Sequence, residues 1–190
     1  MLKNILRPLS YLTIDHSEKR VVDWIYPLAL STLTVIAIFS LKVFGAVSIY
    51  SADGLVSRVV GLVQSLPGFY IAALAAIATF NKADIDMKMP SPAPKINISI
   101  RGKIEEIDLT RRRFLCLMFS FLAAESILIV VIAFFAESAL IPVKNLLPKQ
   151  LYTPTSLVFL FVFFTMFWQM IVATFWGLYY LGDRLHQPDS

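Results

Sequence analysis

This chain has one cysteine, Cys116, and only two histidines, His16 and His186. A single thiol excludes an intramolecular disulfide, and nothing in the sequence has metal-ligand spacing. Both histidines stand in polar tails with no second ligand nearby, so they read as surface residues. No phosphate-binding glycine-rich loop, nucleophile elbow or HExxH motif is present. Glu105 and Glu106 lack the helical His or Arg arrangement of an intramembrane protease and read as a solvated strand edge. The sequence is not that of an enzyme, and it implies no cofactor.

Polar surface is the second scarcity. The chain is 57% hydrophobic with a mean hydropathy of +0.70 and fifteen phenylalanines in 190 residues. Ordinary soluble domains are roughly 45–50% apolar, so an integral membrane protein is expected. The first apolar run begins only at Trp24, after a tail holding Asp15, Glu18 and Asp23. It lacks a small-residue cleavage site, so it is expected to remain as an anchor rather than leave as a signal peptide.

Four transmembrane helices are predicted, at about 24–44, 56–80, 114–136 and 156–181, each near the roughly 20 residues a crossing requires. Trp24, Tyr26 and Pro27 suit a helix starting at an interface, while Lys42 and Arg58 are placed to snorkel. Trp176, Tyr179 and Tyr180 form an aromatic belt at the far end. The expected class is therefore all-α, with a 1–23 tail, spans 1–2 within 24–80, an insert at 81–113, spans 3–4 within 114–182 and a 183–190 tail.

Thirteen of the seventeen Lys and Arg residues lie in the two tails and the insert. The other four are Lys42, Arg58, Lys144 and Lys149. The positive-inside rule then puts both termini and the insert in the cytoplasm. The net charge of +4 is thus a topology signal first. Direct nucleic-acid binding is not expected, because the basic residues border helix ends where anionic headgroups attract them.

The insert has its own pattern. Pro90, Pro92 and Pro94 forbid helix and favour an extended strut. Ile96, Ile98 and Ile100 then alternate with Lys95, Asn97, Ser99 and Arg101, the period of a strand with one apolar face. Gly102 can turn the chain, Ile104 to Ile107 can return it, and Asp108 or Thr110 can cap the next helix. A two-stranded hairpin is marginal in water, so its isoleucines need a cover. Two covers are open: a partner or second copy on the sheet edge, or the protein's own helix ends and N-terminal tail. On the first, Ile96, Ile98, Ile100, Arg101 and Lys103 are the docking residues. Arg111, Arg112 and Arg113 oppose the helix dipole, which headgroups or an acidic surface must offset.

Inside the membrane, Glu125 and Gln169 fall at similar depth on antiparallel helices. An intramembrane carboxyl costs about 2.5–3.5 kcal/mol on insertion scales and is a functional candidate. It can pair with Gln169 as an assembly clamp, line a pore, or respond to protons or voltage; the clamp is favoured for want of a relay. Small or polar residues recur at Thr165, Gln169, Ala173 and Gly177, and at Gly61, Gly68, Ala72, Ala75, Ala76 and Thr79. Such faces let helices approach closely, and oligomers follow naturally from them.

The run D-W-I-Y-P-L-A-L (Asp23 to Leu30) before four spans, with an insert ending I-E-E-I-D-L-T-R-R-R-F-L (Ile104 to Leu115), resembles small bacterial four-span membrane subunits of anti-phage systems. It looks most like the Kiwa membrane-component (KwaA) family. The likeness is architectural and transfers no single residue's role. It implies a homo-oligomeric inner-membrane sensor that binds a cytosolic, DNA-engaging partner of the KwaB type and restrains phage replication. The competing classes are a pore-forming effector that depolarises the membrane and a small channel or transporter subunit.

Overall fold

The computed structural model describes residues 5–43, 48–51, 53–79, 81, 83–89, 93–100 and 103–182. A 3₁₀ helix, Arg7–Thr13, leads into a continuous rod made of Ser17–Arg20 (α1), a π-helical turn Val21–Ile25, and Tyr26–Val43 (α2). The second rod is Leu55–Val63 (α3) and Leu66–Thr79 (α4). After the insert come Arg111–Leu146 (α5) and Lys149–Gly182 (α6). Four helices are long and apolar enough to cross a membrane: Glu18–Leu41, Leu55–Thr79, Arg111–Ala139 and Lys149–Gly182. They match the four predicted spans and fit a membrane protein.

The boundaries shift for physical reasons. The third helix starts at Arg111 rather than 114 because Thr110, with extended backbone, accepts a 3.3 Å hydrogen bond from the Arg113 N–H. Asp108, the other predicted cap, instead pairs with Lys88 at 3.0 Å. At its far end α5 runs through Pro142 to a length of 36 residues, about 54 Å at 1.5 Å per residue. That exceeds the roughly 30 Å hydrocarbon thickness by several turns. The fourth helix starts at Lys149 rather than 156, since Pro154 lies so near its start that few helical bonds are lost. The second rod is interrupted at Gln64 and Ser65, where Pro67 supplies no N–H to the carbonyl one turn earlier.

The helices form a row. The first span packs on the fourth, the fourth on the third, and the third on the second. The outer two consequently bury only 17% of their most apolar window, against 50% for the third and 39% for the fourth. Side-chain hydroxyls stitch the outer members on. Ser31 donates to the Phe161 carbonyl at 2.9 Å, and Trp168 Nε1 donates to Thr34 at 2.9 Å. The Tyr70 hydroxyl meets that of Thr174 at 2.6 Å. Gly177, with Ala173, faces the inner seam, where an added Cβ collides with the end of the Met118 side chain.

The small-residue stripe of the fourth span is therefore used within the subunit. That of the second span is not: Gly61, Gly68, Ala72, Ala75, Ala76 and Thr79 are all exposed. The aromatic belt divides similarly. Trp176 meets Phe114 edge-on and Tyr180 packs tilted against it, at centroid distances of 5.4 and 5.9 Å, while Tyr179 stays exposed.

Gly177→Val is expected to lower stability by about 1–3 kcal/mol, because a branched side chain must displace Met118 and Phe119. Thermal unfolding in detergent reads this directly. Gly68→Val, at a position open to its surroundings, should leave the unfolding of the isolated subunit nearly unchanged.

Candidate functional site

Two regions hold the residues singled out by sequence. The first is the insert. Lys95–Ile100 (β1) and Lys103–Asp108 (β2) form the predicted hairpin, with Ile96 opposite Ile107, Ile98 opposite Glu105 and Ile100 opposite Lys103. Arg101 and Gly102 lie outside the described residues, as do Pro90, Ser91 and Pro92 of the expected strut, and the side chains of Ile98, Ile100 and Lys103 are likewise outside those described.

Of the two covers open to the isoleucines, Ile96 takes the protein's own N-terminal segment rather than a partner. It is 4% exposed and belongs to the subunit's own core together with Ile14, Ile85, Met89 and Leu109. The reason is a third chain segment: Asp15 pairs with Lys95 through two main-chain bonds of 3.0 and 3.3 Å, laying the N-terminal segment along the hairpin base. The base of the hairpin is thus covered from within. Toward the turn, Glu105 and Glu106 are exposed.

Arg112 fixes the insert to the bundle. Its Nε and Nη2 donate to the Asp86 carboxylate at 2.6 and 2.9 Å. Its Nη1 donates to the carbonyls of Ile77 and Ala78, at the C-terminal end of α4, at 2.7 and 3.2 Å. The offset that three N-terminal arginines require is therefore supplied, for Arg112, by the protein's own groups. Arg111 is buried and Arg113 is exposed. The guanidinium holds the Asp86 carboxyl below its ordinary range.

Besides the insert and the Glu125–Gln169 pair, the structure holds a buried polar cluster that sequence reasoning missed. Lys19 pairs with Asp23 one helical turn on, and the two are 3% and 1% exposed. The Tyr11 hydroxyl donates to the other Asp23 oxygen at 3.0 Å, and the Lys19 ammonium lies 4.1 Å from the Tyr11 ring centre. Tyr11 in turn stacks on Phe121 at 5.1 Å, one turn before Glu125 on the third span. Burial raises the Tyr11 phenol above its ordinary range, and the Asp23 carboxylate to which it donates raises it further. The signal was present in the i, i+4 spacing of Lys19 and Asp23 at the edge of an apolar run.

Glu125 and Gln169 are both buried, and within the subunit no hydrogen bond joins Glu125 Oε2 to Gln169 Nε2. Glu125 Oε2 and Gln169 Nε2 each lack a hydrogen-bond partner. Their depths do match: Gly177 meets Met118 and Phe119, and two turns along each antiparallel helix bring Gln169 level with Ser126. Among the described residues no His, Cys, Asp or Glu group is arranged to hold a metal ion.

No protein-family model matches the chain, and neither a curated protein nor a solved structure resembles it significantly.

Asp23→Ala leaves the Lys19 charge buried alone and is expected to destabilise by about 3–5 kcal/mol. The double change Lys19→Met with Asp23→Leu should recover most of that loss in detergent unfolding. For Asp86, whose carboxyl is lowered by Arg112, the stabilising contribution is complete above the ordinary carboxylate pKa of about 3.9 and fades as pH falls through the lower folded value. Protease cleavage of the insert should accelerate on such acidification in the native protein, while Asp86→Asn should cleave faster already at neutral pH.

Proposed function

We propose that this chain is an inner-membrane scaffold or sensor subunit that oligomerises and docks a cytosolic effector through its 81–113 insert, in anti-phage defence. The observation that carries this reading is a folded platform standing outside the four apolar helices and tied to them by Arg112, by the Asp15–Lys95 pairing and by the Lys88–Thr110 bridge. Its hairpin keeps unpaired main-chain edges beyond Lys95 among the described residues, and such edges accept an added strand. The docking row is accordingly shorter than the full isoleucine series. Ile98, Ile100, Arg101 and Lys103 form it, and Ile96 serves as its foundation.

The cytoplasmic placement of the insert and both termini follows from the basic residues, thirteen against four. Self-association finds support in the exposed small-residue face of the second span, where helices from two copies can approach closely. The effector is a soluble protein, DNA-engaging if the architectural likeness to the Kiwa membrane component extends to function. The burial of Glu125 and Gln169 inside one subunit weighs against a pore lined by them.

Affinity purification in mild detergent from the native host tests the assignment. Ile98→Asp should abolish co-purification of a soluble partner while the spans still assemble at the native subunit number. A partner that remains bound to this variant removes the docking assignment.

A further inference from the structure

A polar pocket of about 360 Å³ lies between the segment 12–16 and the first turns of the rod that begins at Ser17. Asp15, His16, Lys19, Arg20 and Trp24 line it, with Asp23 at its floor. The first candidate span opens at Glu18, so the pocket stands at the end of an apolar helix, at the depth where lipid headgroups lie. Trp24, 46% exposed, is the residue type that favours this layer.

The lining has an unusual balance. Lys19 and Asp23 neutralise each other and are buried. What remains is one exposed cation, Arg20, which makes no ion pair among the described residues, and one exposed carboxylate, Asp15. Asp15 is held there by its main chain, through the pairing with Lys95, whose ammonium its carboxylate also favours electrostatically. His16 Nδ1 is buried without a hydrogen-bond partner in the same wall. A simple anion would meet the Asp15 charge, and a simple cation would meet Arg20. A ligand carrying both signs a few bonds apart satisfies both.

We propose that this pocket binds a zwitterionic phosphate–amine headgroup of the phosphoethanolamine type. Arg20 takes the phosphate by charge-assisted hydrogen bonds, and Asp15 takes the primary ammonium. The imidazole of His16 flanks the phosphate, and Trp24 packs beside the glycerol region. The site selects against anionic headgroups through Asp15 rather than attracting them through net charge.

Native mass spectrometry of the full chain in detergent, with phosphatidylethanolamine and phosphatidylglycerol supplied together, tests the assignment. The unmodified protein should retain phosphatidylethanolamine about tenfold over phosphatidylglycerol, the ratio expected of one charge-assisted contact. Asp15→Asn should abolish the preference while retaining lipid, and Arg20→Gln should lose both lipids. Thermal unfolding without added lipid checks that both variants remain folded. Equal retention of the two lipids by the unmodified protein, or an undiminished preference in folded Asp15→Asn, overturns the proposal. Soluble O-phosphoethanolamine separates the sources: displacement of the lipid shows that the free headgroup is itself a ligand, and retention shows that the bilayer lipid is the ligand. Either result keeps the headgroup assignment.

Discussion

Every carbonyl at the end of a helix needs a donor, and near a membrane water supplies it only where the chain reaches the interface. At the end of α4 that donor is one guanidinium. Arg112 belongs to the first turn of α5, yet it closes the last turn of the preceding helix and grips Asp86 in the insert between them. Three parts of the chain thus meet on a planar fork that no lysine reproduces. The same contacts resolve an apparent conflict, since an arginine at a helix N-terminus is placed against the dipole of its own helix but with the dipole of its neighbour. The position of the hairpin, and of everything the insert presents, follows from this junction.

The N-terminal segment repeats the principle in the interior. It inserts Tyr11 between the start of the first span and the face of the third, so that two helices without a direct seam share a partner. The Tyr11 hydroxyl is satisfied by Asp23, and its ring packs against Phe114, Phe121 and the Lys19 ammonium. A segment that composition marks as a hydrophilic tail is a structural wedge. The hairpin base depends on it as well, because Asp15 continues from that wedge to pair with Lys95.

The four apolar helices were legible because each run carries its signal in every residue. The hairpin was legible because strict alternation of isoleucine with polar residues suits a strand and little else. Helix ends were less so: Asp108 and Thr110 were equal candidates for the third helix's cap, and only the folded insert shows that Thr110 serves. The candidate sites were legible only in outline. Ile96 and Ile98 have the same sequence character, and what separates them is a strand neighbour supplied from residue 15, far away in sequence. Lys19 and Asp23 resemble solvated charges until Tyr11 folds over them. Arg112 resembles a lipid anchor until Asp86 and two carbonyls are brought to it. For Ile96 and Arg112 the deciding partner is distant in sequence, where local pattern carries no information.

The order of the helix row has a consequence for how the protein is made. The first span has its main neighbour in the fourth, joined by contacts such as Ser31 to Thr165 that are 134 positions apart. Spans two and three are adjacent in both sequence and space, so they can pair as soon as they leave the ribosome. The first span has no such companion. It joins the bundle through the fourth span, while its Thr32 and Thr34 hydroxyls bond to its own backbone. The helix that makes the first span part of the bundle is therefore the fourth, three spans further along the chain.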